Sequence, residues 1–340
     1  MQVIDEALSS LRLGAPARFR NLAIFPLLAD KPGKADYLLL DEALEAGLAE
    51  VTEVSEEGSV PELLFDNHAL KEVLLVDGEE LVGARQNRVL NLSILVGAGK
   101  KIVIPVSCVE AGRWHYSRRD FRTVKHKLYL KARAMKMAQV SESLRSHRSA
   151  RSDQSALWND IDEKMLRMKA ESRTSSMEDL CMSFEDDTEA YVNAFAAQPG
   201  QTGAVFAIDG EVMGAELFDS PATFAKYFPK LLSSYAMDAI DVVEAKEVAP
   251  VEETVRRFLE EMKAAAAAEF EAAGEGRDLR LSGERLAGGA LVVEDRVVHL
   301  AAFRVDQPPR RGGLEDDWPE RDPDLFGEAP DDGEEEPRVA

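Results

Sequence analysis

Short apolar runs bounded by turn residues fill the first third of the chain and predict strands. Residues 21–28 (NLAIFPLL) and 102–106 (IVIPV) are the strongest examples, because each is almost entirely apolar or β-branched. Between them, residues 73–83 hold two apolar runs around Asp77-Gly78. This dipeptide accepts the positive φ angles of a type I′ turn, so the pattern predicts a β-hairpin over 73–83.

Two later segments carry the same hairpin signal. Residues 205–215 and 290–302 each hold two apolar runs around a short turn. The first of them shares with residues 73–83 an Asp-Gly-Glu sequence followed closely by Gly-Ala. Shared turn chemistry is a sufficient explanation for this similarity, and an ancient duplication is the alternative.

The middle of the chain has helical periodicity. Apolar residues at the spacing of one helix face predict a helix that starts at Phe121 and includes Val124, Leu128, Ala132 and Met135. A second helix follows Asp153, a residue that caps helix N-termini well. A third begins at Pro250 and continues through the alanines of 264–268 until Gly274.

These elements predict an α+β fold with an antiparallel, β-rich core of hairpins and a helical middle segment. We expect one domain over residues 1–305, divided into a β-rich part (12–118), a helical part (119–195) and an α+β part (196–305). The sequence has no βαβ series with a G-x-G-x-x-G motif or a P-loop. A Rossmann or kinase fold is therefore excluded.

Charge is distributed unevenly along the 340 residues, which carry a formal net charge of −22. Residues 306–340 hold 13 acidic against 4 basic residues and few aliphatic ones, which predicts a disordered acidic tail. Such a tail keeps a protein soluble, or folds onto a partner. The overall acidity argues against nucleic acid as a partner, because phosphate backbones require positive surface.

One stretch has the opposite charge. Residues 113–151 hold 12 basic against 2 acidic residues. This basic helix either faces a phosphate-bearing partner, or it pairs with acidic residues elsewhere in the chain.

Cysteine content and the N-terminus point to a cytoplasmic protein. The two cysteines, Cys108 and Cys181, are far apart in the sequence and form no CxxC motif. The first residues do not resemble a signal peptide, and no apolar run is long enough to span a membrane.

Polar side chains concentrate in two short segments. The first runs from Asp77 to Asn91 and the second, over 105–114, directly follows a strong predicted strand. Low strand propensity at the asparagines and Gly83 is typical of backbone that approaches a ligand or another chain segment.

These side chains suit a phosphate- or nucleotide-bearing ligand. Arg88 or Arg113 could clamp a phosphate bidentately and Trp114 could stack on a base. Glu80 and Glu110 could bind ribose hydroxyls, or act as general acid and base. The alternative is structural: Asp77-Gly78 is only a turn, and Arg–Glu pairs tie neighbouring strands together.

Cys108 also has two interpretations. A nucleophilic cysteine needs a histidine base, and His68, His115 and His126 are available. At the end of a strand, however, a cysteine commonly packs as a small apolar residue. The histidines have no metal-binding spacing and acids beside a turn are usually solvated, so no metal site is predicted, and the sequence indicates no particular cofactor.

The two polar segments resemble the ARG and rhodanese-phosphatase-superfamily-associated protein domain family, in which ARG means ADP-ribosylglycohydrolase. The strongest matches are residues 81–91 (LVGARQNRVLN) and 104–114 (IPVSCVEAGRW). Weaker matches are residues 154–161, 172–175 and 203–220. The resemblance extends from Leu11 to about Arg304 and excludes the acidic tail.

The family is named for gene neighbours and has no settled activity, so the resemblance implies only a ligand class, ADP-ribose or a related nucleotide metabolite. Matching the motifs predicts a site, within which the chemistry assigns Glu80, Cys108 and Glu110 as catalytic. The ligand-binding residues are predicted to be Glu79, Gln86, Asn87, Arg88, Asn91, Arg113 and Trp114. The alternative function is a non-catalytic protein-interaction module that docks through the basic helix and the acidic tail.

Overall fold

Strands dominate both ends of the chain and helices lie between them, over the described residues 2–31, 33–55, 61–113, 120–246 and 248–305 of the computed structural model. The helices in these ranges are α1 Gln2–Ser9, α2 Leu40–Glu45, α3 Leu130–His147, α4 Gln154–Met168, α5 Met177–Ser183, α6 Glu185–Asn193, α7 Pro221–Ile240 and α8 Glu252–Ala264. The strands are β1 Leu11–Leu13, β2 Ala17–Phe19, β3 Leu22–Ala29, β4 Tyr37–Leu39, β5 Ala49–Glu53, β6 Glu62–Asn67, β7 Glu72–Leu75, β8 Glu79–Gly83, β9 Arg88–Leu90, β10 Ile94–Val96, β11 Lys101–Cys108, β12 Phe121–Lys127, β13 Gln201–Ile208, β14 Glu211–Phe218, β15 Ala266–Glu271, β16 Arg277–Gly283, β17 Leu286–Val293 and β18 Arg296–Arg304. The α+β prediction with antiparallel sheets is confirmed.

The largest sheet has nine strands in the order β1-β3-β13-β14-β18-β17-β16-β15, with β2 also paired to β3. Helices cover both of its faces, which explains why a central strand such as β13 is buried at all eight of its positions. In β13, Phe206 packs with the residues of α7 on one face, whereas Val205 packs with those of α8 on the other. The alternation that a half-exposed strand would show is absent for this reason.

The two C-terminal hairpin predictions are confirmed. Strands β13 and β14 pair antiparallel around Asp209-Gly210, and both turn residues have positive φ. Strands β17 and β18 pair around a turn at Glu294, whose φ is also positive. The turn chemistry therefore predicted these pairings well.

The hairpin prediction for residues 73–83 is wrong. Gly78 has the expected positive φ, but the strands on either side of it belong to different sheets. β7 pairs with β10 and β4 in a three-stranded sheet, and β8 pairs with β12 and β9 in a six-stranded sheet of order β12-β8-β9-β11-β6-β5. The turn therefore connects strands of two different sheets instead of closing a hairpin.

Two helix predictions are wrong at their ends. Residues 121–127 form strand β12, which pairs with β8, and the helix begins only at Leu130. Ala266, Ala267 and Ala268 begin strand β15, paired with β16, instead of extending α8. In both places pairing with an available strand edge outweighs helical periodicity or propensity. The helix that follows Asp153 is confirmed, with the Asp153 side chain accepting a hydrogen bond from the N–H of Ala156.

Residues 306–340, on which the prediction of a disordered acidic tail falls, lie outside the described residues. The domain boundaries therefore stay a prediction. Among the described residues, no helix combines the length and apolarity that a membrane crossing requires.

A network of buried charges joins α3 to the sheets. Arg133 of α3 donates to the Glu216 carboxylate of β14 at 2.6 Å, and Lys136 donates to Asp77 in the sheet-to-sheet turn. Neighbouring buried pairs are Lys230 with Glu79 at 3.0 Å and Arg280 with Asp278 at 2.8 Å. Burial alone would raise the pKa of Glu216, but Arg133 and Lys127 lower it well below its usual value.

Lys127 is the least compensated cation in this network. Its Nζ lies 3.7 Å from a Glu216 oxygen and 4.9 Å from the centre of the Tyr227 ring, and it has no hydrogen-bond partner among the described residues. Burial and the neighbouring Arg133 lower the pKa of Lys127 to about 7. Its positive charge therefore costs stability, because the interior solvates it poorly.

We predict that Lys127→Met changes the pH dependence of stability. Below about pH 7 both the folded and the unfolded wild-type chain carry the Lys127 proton, whereas between about pH 7 and 10.5 only the unfolded chain keeps it. The contribution of Lys127 to the unfolding free energy of the wild type therefore rises with pH across this window, by roughly 3–5 kcal/mol. In urea unfolding, the unfolding free energy of Lys127→Met relative to that of the wild type should fall by this amount from pH 7 to pH 10.

The matched control is Lys125→Met, two residues away on the same strand, where the side chain is 89% exposed. The difference in unfolding free energy between this control and the wild type should not change with pH. A flat difference for Lys127→Met as well would contradict the burial argument.

We also predict unequal effects for the same substitution in the two Asp-Gly turns. Asp77→Asn leaves Lys136 buried without a counter-ion and should cost roughly 3–5 kcal/mol of unfolding free energy. Asp209→Asn, in the hairpin turn, removes no ion pair with any described residue and should change the unfolding free energy by less than about 1 kcal/mol. Equal losses in urea unfolding would show that turn geometry, rather than charge, makes Asp77 important.

Candidate functional site

Strand pairing brings the two predicted motif segments together at one end of the six-stranded sheet. β9 pairs antiparallel with β11, so Arg88 lies directly opposite Cys108. Beyond the end of β11, Glu110 forms an isolated bridge with Ser176, just before α5. Side chains from the β8–β9 connection, from the segment after β11 and from α5 therefore meet at this end.

Glu110 is the acceptor at the centre of the cluster. Arg113 donates to both of its oxygens, from Nε at 2.9 Å and from Nη2 at 2.7 Å. The backbone N–H of Asn87 and the hydroxyl of Thr174 donate to the same carboxylate at 3.1 and 2.9 Å. Arg113 also donates to the carbonyl of Ala84 at 2.7 Å, which fixes the β8–β9 connection.

Cys108 lies in a closed polar pocket. Its sulfur lies 3.1 Å from Gln86 Oε1 and 3.1 Å from the Glu110 carbonyl oxygen, either of which accepts the single thiol proton, and Arg88 Nη1 donates to the sulfur at 3.5 Å. The side chain is fully buried, and this burial raises the pKa of the thiol. The contacts of Cys108 favour the structural interpretation over the nucleophilic one.

The histidines proposed as bases for Cys108 have other neighbours. His68 pairs with Asp66 at 3.2 Å and His126 with Glu80 at 2.6 Å. His115 and the predicted stacking residue Trp114 lie outside the described residues, which resume at Asp120.

Asn87 connects the cluster to α5. Its side chain donates to Glu178 at 3.2 Å and lies 3.4 Å from the Ser176 hydroxyl, and its oxygen accepts from Arg113 at 3.0 Å. Thus Gln86, Asn87, Arg88, Cys108, Glu110 and Arg113 form one hydrogen-bonded unit.

Three predicted site residues lie apart from this unit. Glu79 accepts from the Val76 N–H at 2.9 Å and pairs with Lys230, inside the buried charge network. Asn91 donates to the Ala150 carbonyl at 2.9 Å and thereby ties β9 to the segment before α4. Glu80 faces His126, on the neighbouring strand β12, and burial raises the pKa of Glu80 although His126 opposes the shift.

The sequence did not indicate several residues that belong to this end of the fold. Glu178 of α5 accepts a hydrogen bond from Asn87, and Ser176, just before this helix, lies 3.4 Å from the Asn87 amide. The only signal for them was the weak family match at residues 172–175, which immediately precede α5. No spacing rule links an acid in a short helix to an asparagine about ninety positions earlier.

Two cavities in the described part of the chain are lined by other side chains. One, of about 10 Å³, suits a single water molecule and is lined by polar groups that include Asp77, Arg280 and His299. A more open one, of about 300 Å³, lies beside Arg20 and Tyr191 at the end of α7. Within the described ranges, no group of three or more His, Cys, Asp or Glu residues is arranged to hold a metal ion.

Part of the basic stretch has an internal role in the described residues. Arg133 and Lys136 are fully buried in the charge network, and Lys131 pairs with Asp160 at 2.7 Å. This arrangement matches the interpretation in which the helix pairs with acidic residues of the same chain.

Comparison with known proteins gives one match. The family model described as ARG and Rhodanese-Phosphatase-superfamily-associated Protein domain matches residues 10–303. No curated protein and no solved structure matches the chain.

We predict that Glu110 is essential for the stability of this cluster. Glu110→Ala leaves the Arg113 guanidinium, which is nine-tenths buried, without its carboxylate and should cost roughly 3–5 kcal/mol of unfolding free energy. Glu142→Ala is the matched control, because Glu142 and Arg145 form a pair with the same three-residue spacing in which both side chains are 30% exposed. This control should lose less than about 1 kcal/mol in urea unfolding. Similar losses for both variants would contradict the central role of Glu110.

Proposed function

Because the chain belongs to the ARG and Rhodanese-Phosphatase-superfamily-associated Protein domain family, we propose that it is a ligand-binding domain for a phosphate-bearing nucleotide metabolite. ADP-ribose is the first candidate ligand, since the family name associates this domain with ADP-ribosylglycohydrolases. The proposed binding surface is the end of the six-stranded sheet where the β8–β9 connection, residues 110–113 and residues 172–176 meet.

The observation that carries the proposal is the convergence of the two motif segments. Side chains that are over twenty residues apart in the sequence form one hydrogen-bonded unit around Glu110. Convergent polar groups at one edge of a sheet are typical of recognition sites. The side chains of this unit bond to one another, however, so the unit contributes to binding by holding the surrounding surface in place.

Exposed arginines beside the unit provide the phosphate contacts in this proposal. Arg173 is exposed and adjoins Thr174, which donates to Glu110. Arg122 is 58% exposed and lies 3.6 Å from Glu178, the acceptor of the Asn87 amide. Arginine is the side chain best suited to bind a phosphate bidentately. The buried Arg88 and Arg113 thus support the surface instead of clamping the ligand themselves.

We predict that the full-length chain binds ADP-ribose and that the double variant Arg122→Ala/Arg173→Ala binds it at least about tenfold more weakly, a loss of roughly 1.4 kcal/mol. Arg145→Ala is the control, because Arg145 is a partly exposed arginine on α3, distant in sequence from the motif segments. Isothermal titration with ADP-ribose, AMP and inorganic phosphate measures each affinity. All these variants alter exposed side chains, and thermal melting verifies that they fold.

Binding should weaken as salt is raised, because the contacts are ionic and near the surface. Absence of binding by the wild type, or equal affinity of the double variant and the wild type, would refute the proposed function. Trp114→Ala extends the test to the stacking residue that the sequence predicts.

A further inference from the structure

An open cleft of about 300 Å³ lies between the β2–β3 turn, α6 and the C-terminal end of α7. This volume is at the lower end of the range for small-molecule sites. Aliphatic side chains of α7 and of the segment after it, such as Ile240 and Val242, form part of the lining. The polar groups of the cleft come from four residues, Arg20, Asn21, Asp187 and Tyr191. No described residue of the two motif segments lines this cleft, so it is separate from the candidate site.

Asn21 fixes the walls of the cleft relative to one another. It is fully buried, and its Nδ2 donates to the Ala239 carbonyl, near the end of α7, at 2.9 Å. Its Oδ1 accepts from the Tyr191 hydroxyl of α6 at 2.6 Å. Its backbone carbonyl accepts from the N–H of Asp209, in the β13–β14 turn, at 2.9 Å. One residue thus holds segments that are far apart in the chain, as expected for a binding site that is formed before its ligand arrives.

Arg20 is held at the rim of the cleft in an unusual conformation. Its φ is +49°, a value that favours glycine, and strained residues of this kind cluster at ligand-binding sites. The Arg20 Cζ lies 5.2 Å from the centre of the Phe19 ring and 5.5 Å from the centre of the Tyr191 ring. The two rings fix the guanidinium. Because the side chain is 48% exposed, its N–H groups stay accessible to a carboxylate.

A group of opposite charge lies beside Arg20. Asp187 of α6 is 54% exposed, and its Oδ1 lies 3.5 Å from Arg20 Nη1, whereas a strong charge-assisted hydrogen bond spans about 2.7–2.9 Å. The pair is therefore loose enough for each member to bind a further group. In addition, α7 ends at Ile240, and the last carbonyls of a helix carry partial negative charge that favours a cation.

We propose that this cleft binds a free α-amino acid with an aliphatic side chain. The carboxylate of the ligand binds Arg20, and its ammonium group binds Asp187 and the carbonyl end of α7. The side chain of the ligand packs against Ile240 and Val242, which are partly buried. A zwitterion matches the two adjacent charges, whereas an ion of one sign would be repelled by the member of like charge. The proposal goes beyond the proposed function, because it requires no nucleotide.

Isothermal titration of the full-length chain with L-leucine tests the proposal. We expect saturable binding with a Kd below about 1 mM, which a ligand of this size can reach. Leucinamide lacks the carboxylate, N-acetyl-leucine lacks the ammonium charge, and glycine lacks the aliphatic side chain. Each of these three ligands should bind at least about tenfold more weakly than leucine.

Two variants test the two charges of the cleft. Arg20→Gly removes the guanidinium, and glycine suits the positive φ of the turn. Asp187→Asn removes the negative charge and keeps the shape of the side chain. Each variant should bind leucine at least about tenfold more weakly than the wild type, and thermal melting verifies that each one folds.

Arg12→Ala and Asp186→Asn are the matched controls. Arg12 is 64% exposed and also pairs with an aspartate, but its strand β1 pairs with the end of β3 that is remote from the β2–β3 turn. Asp186 is the exposed neighbour of Asp187 on α6 and does not line the cleft. Both controls should bind leucine with the affinity of the wild type.

Absence of saturable leucine binding by the wild type would overturn the proposal. Equal affinity for leucine and any of the three truncated ligands, or wild-type affinity of Arg20→Gly or Asp187→Asn, would also overturn it. So would a loss in either control as large as that in its partner variant. The double variant Arg122→Ala/Arg173→Ala should bind leucine as the wild type does, so a failure of the nucleotide proposal is distinguishable from a failure of this one.

Discussion

The fold depends on the pairing of charges that have been removed from water. Arg133 and Lys136 stand one helical turn apart on α3 and reach acids in two different parts of the β structure, Glu216 and Asp77. Either charge alone would cost far more to bury than the packing around it could offset. Both charges are paired when α3 packs against the sheets in the observed position. The network of buried charges therefore helps to determine the position of this helix.

The sequence predicted the parts of the fold that depend on local chemistry. Asp209-Gly210 and the turn at Glu294 gave correct hairpins, because the residues that set their turns are adjacent in the chain. The prediction from sequence failed where a strand distant in the chain determines the structure. Phe121 begins an apolar pattern with helical spacing, but it lies in a strand and pairs with Gly83. The alanines after α8 likewise adopt strand pairing, although alanine has the highest helix propensity.

In the candidate site, too, some features follow from the local sequence and others depend on distant contacts. The sequence left open whether the two motif segments would meet, and they do, because β9 and β11 place Arg88 opposite Cys108. Whether their side chains would face a ligand or each other could not be read from the sequence, since a buried ion pair and a binding pocket use the same residue types. The partners on α5 were equally hidden, because their contacts depend on the path of a connection that carries no pattern of its own.

The turn at Asp77-Gly78 also has consequences for how the chain folds. Because β7 and β8 join different sheets, neither the three-stranded nor the six-stranded sheet can be completed from consecutive residues. β8 needs β12, about forty positions later, and β7 needs β4, about thirty-five positions earlier. Loop-closure entropy must therefore be overcome in both directions before this region gains its contacts. The two sheets should form in a single kinetic step, and a chain cut at this turn should yield two fragments that fold only together.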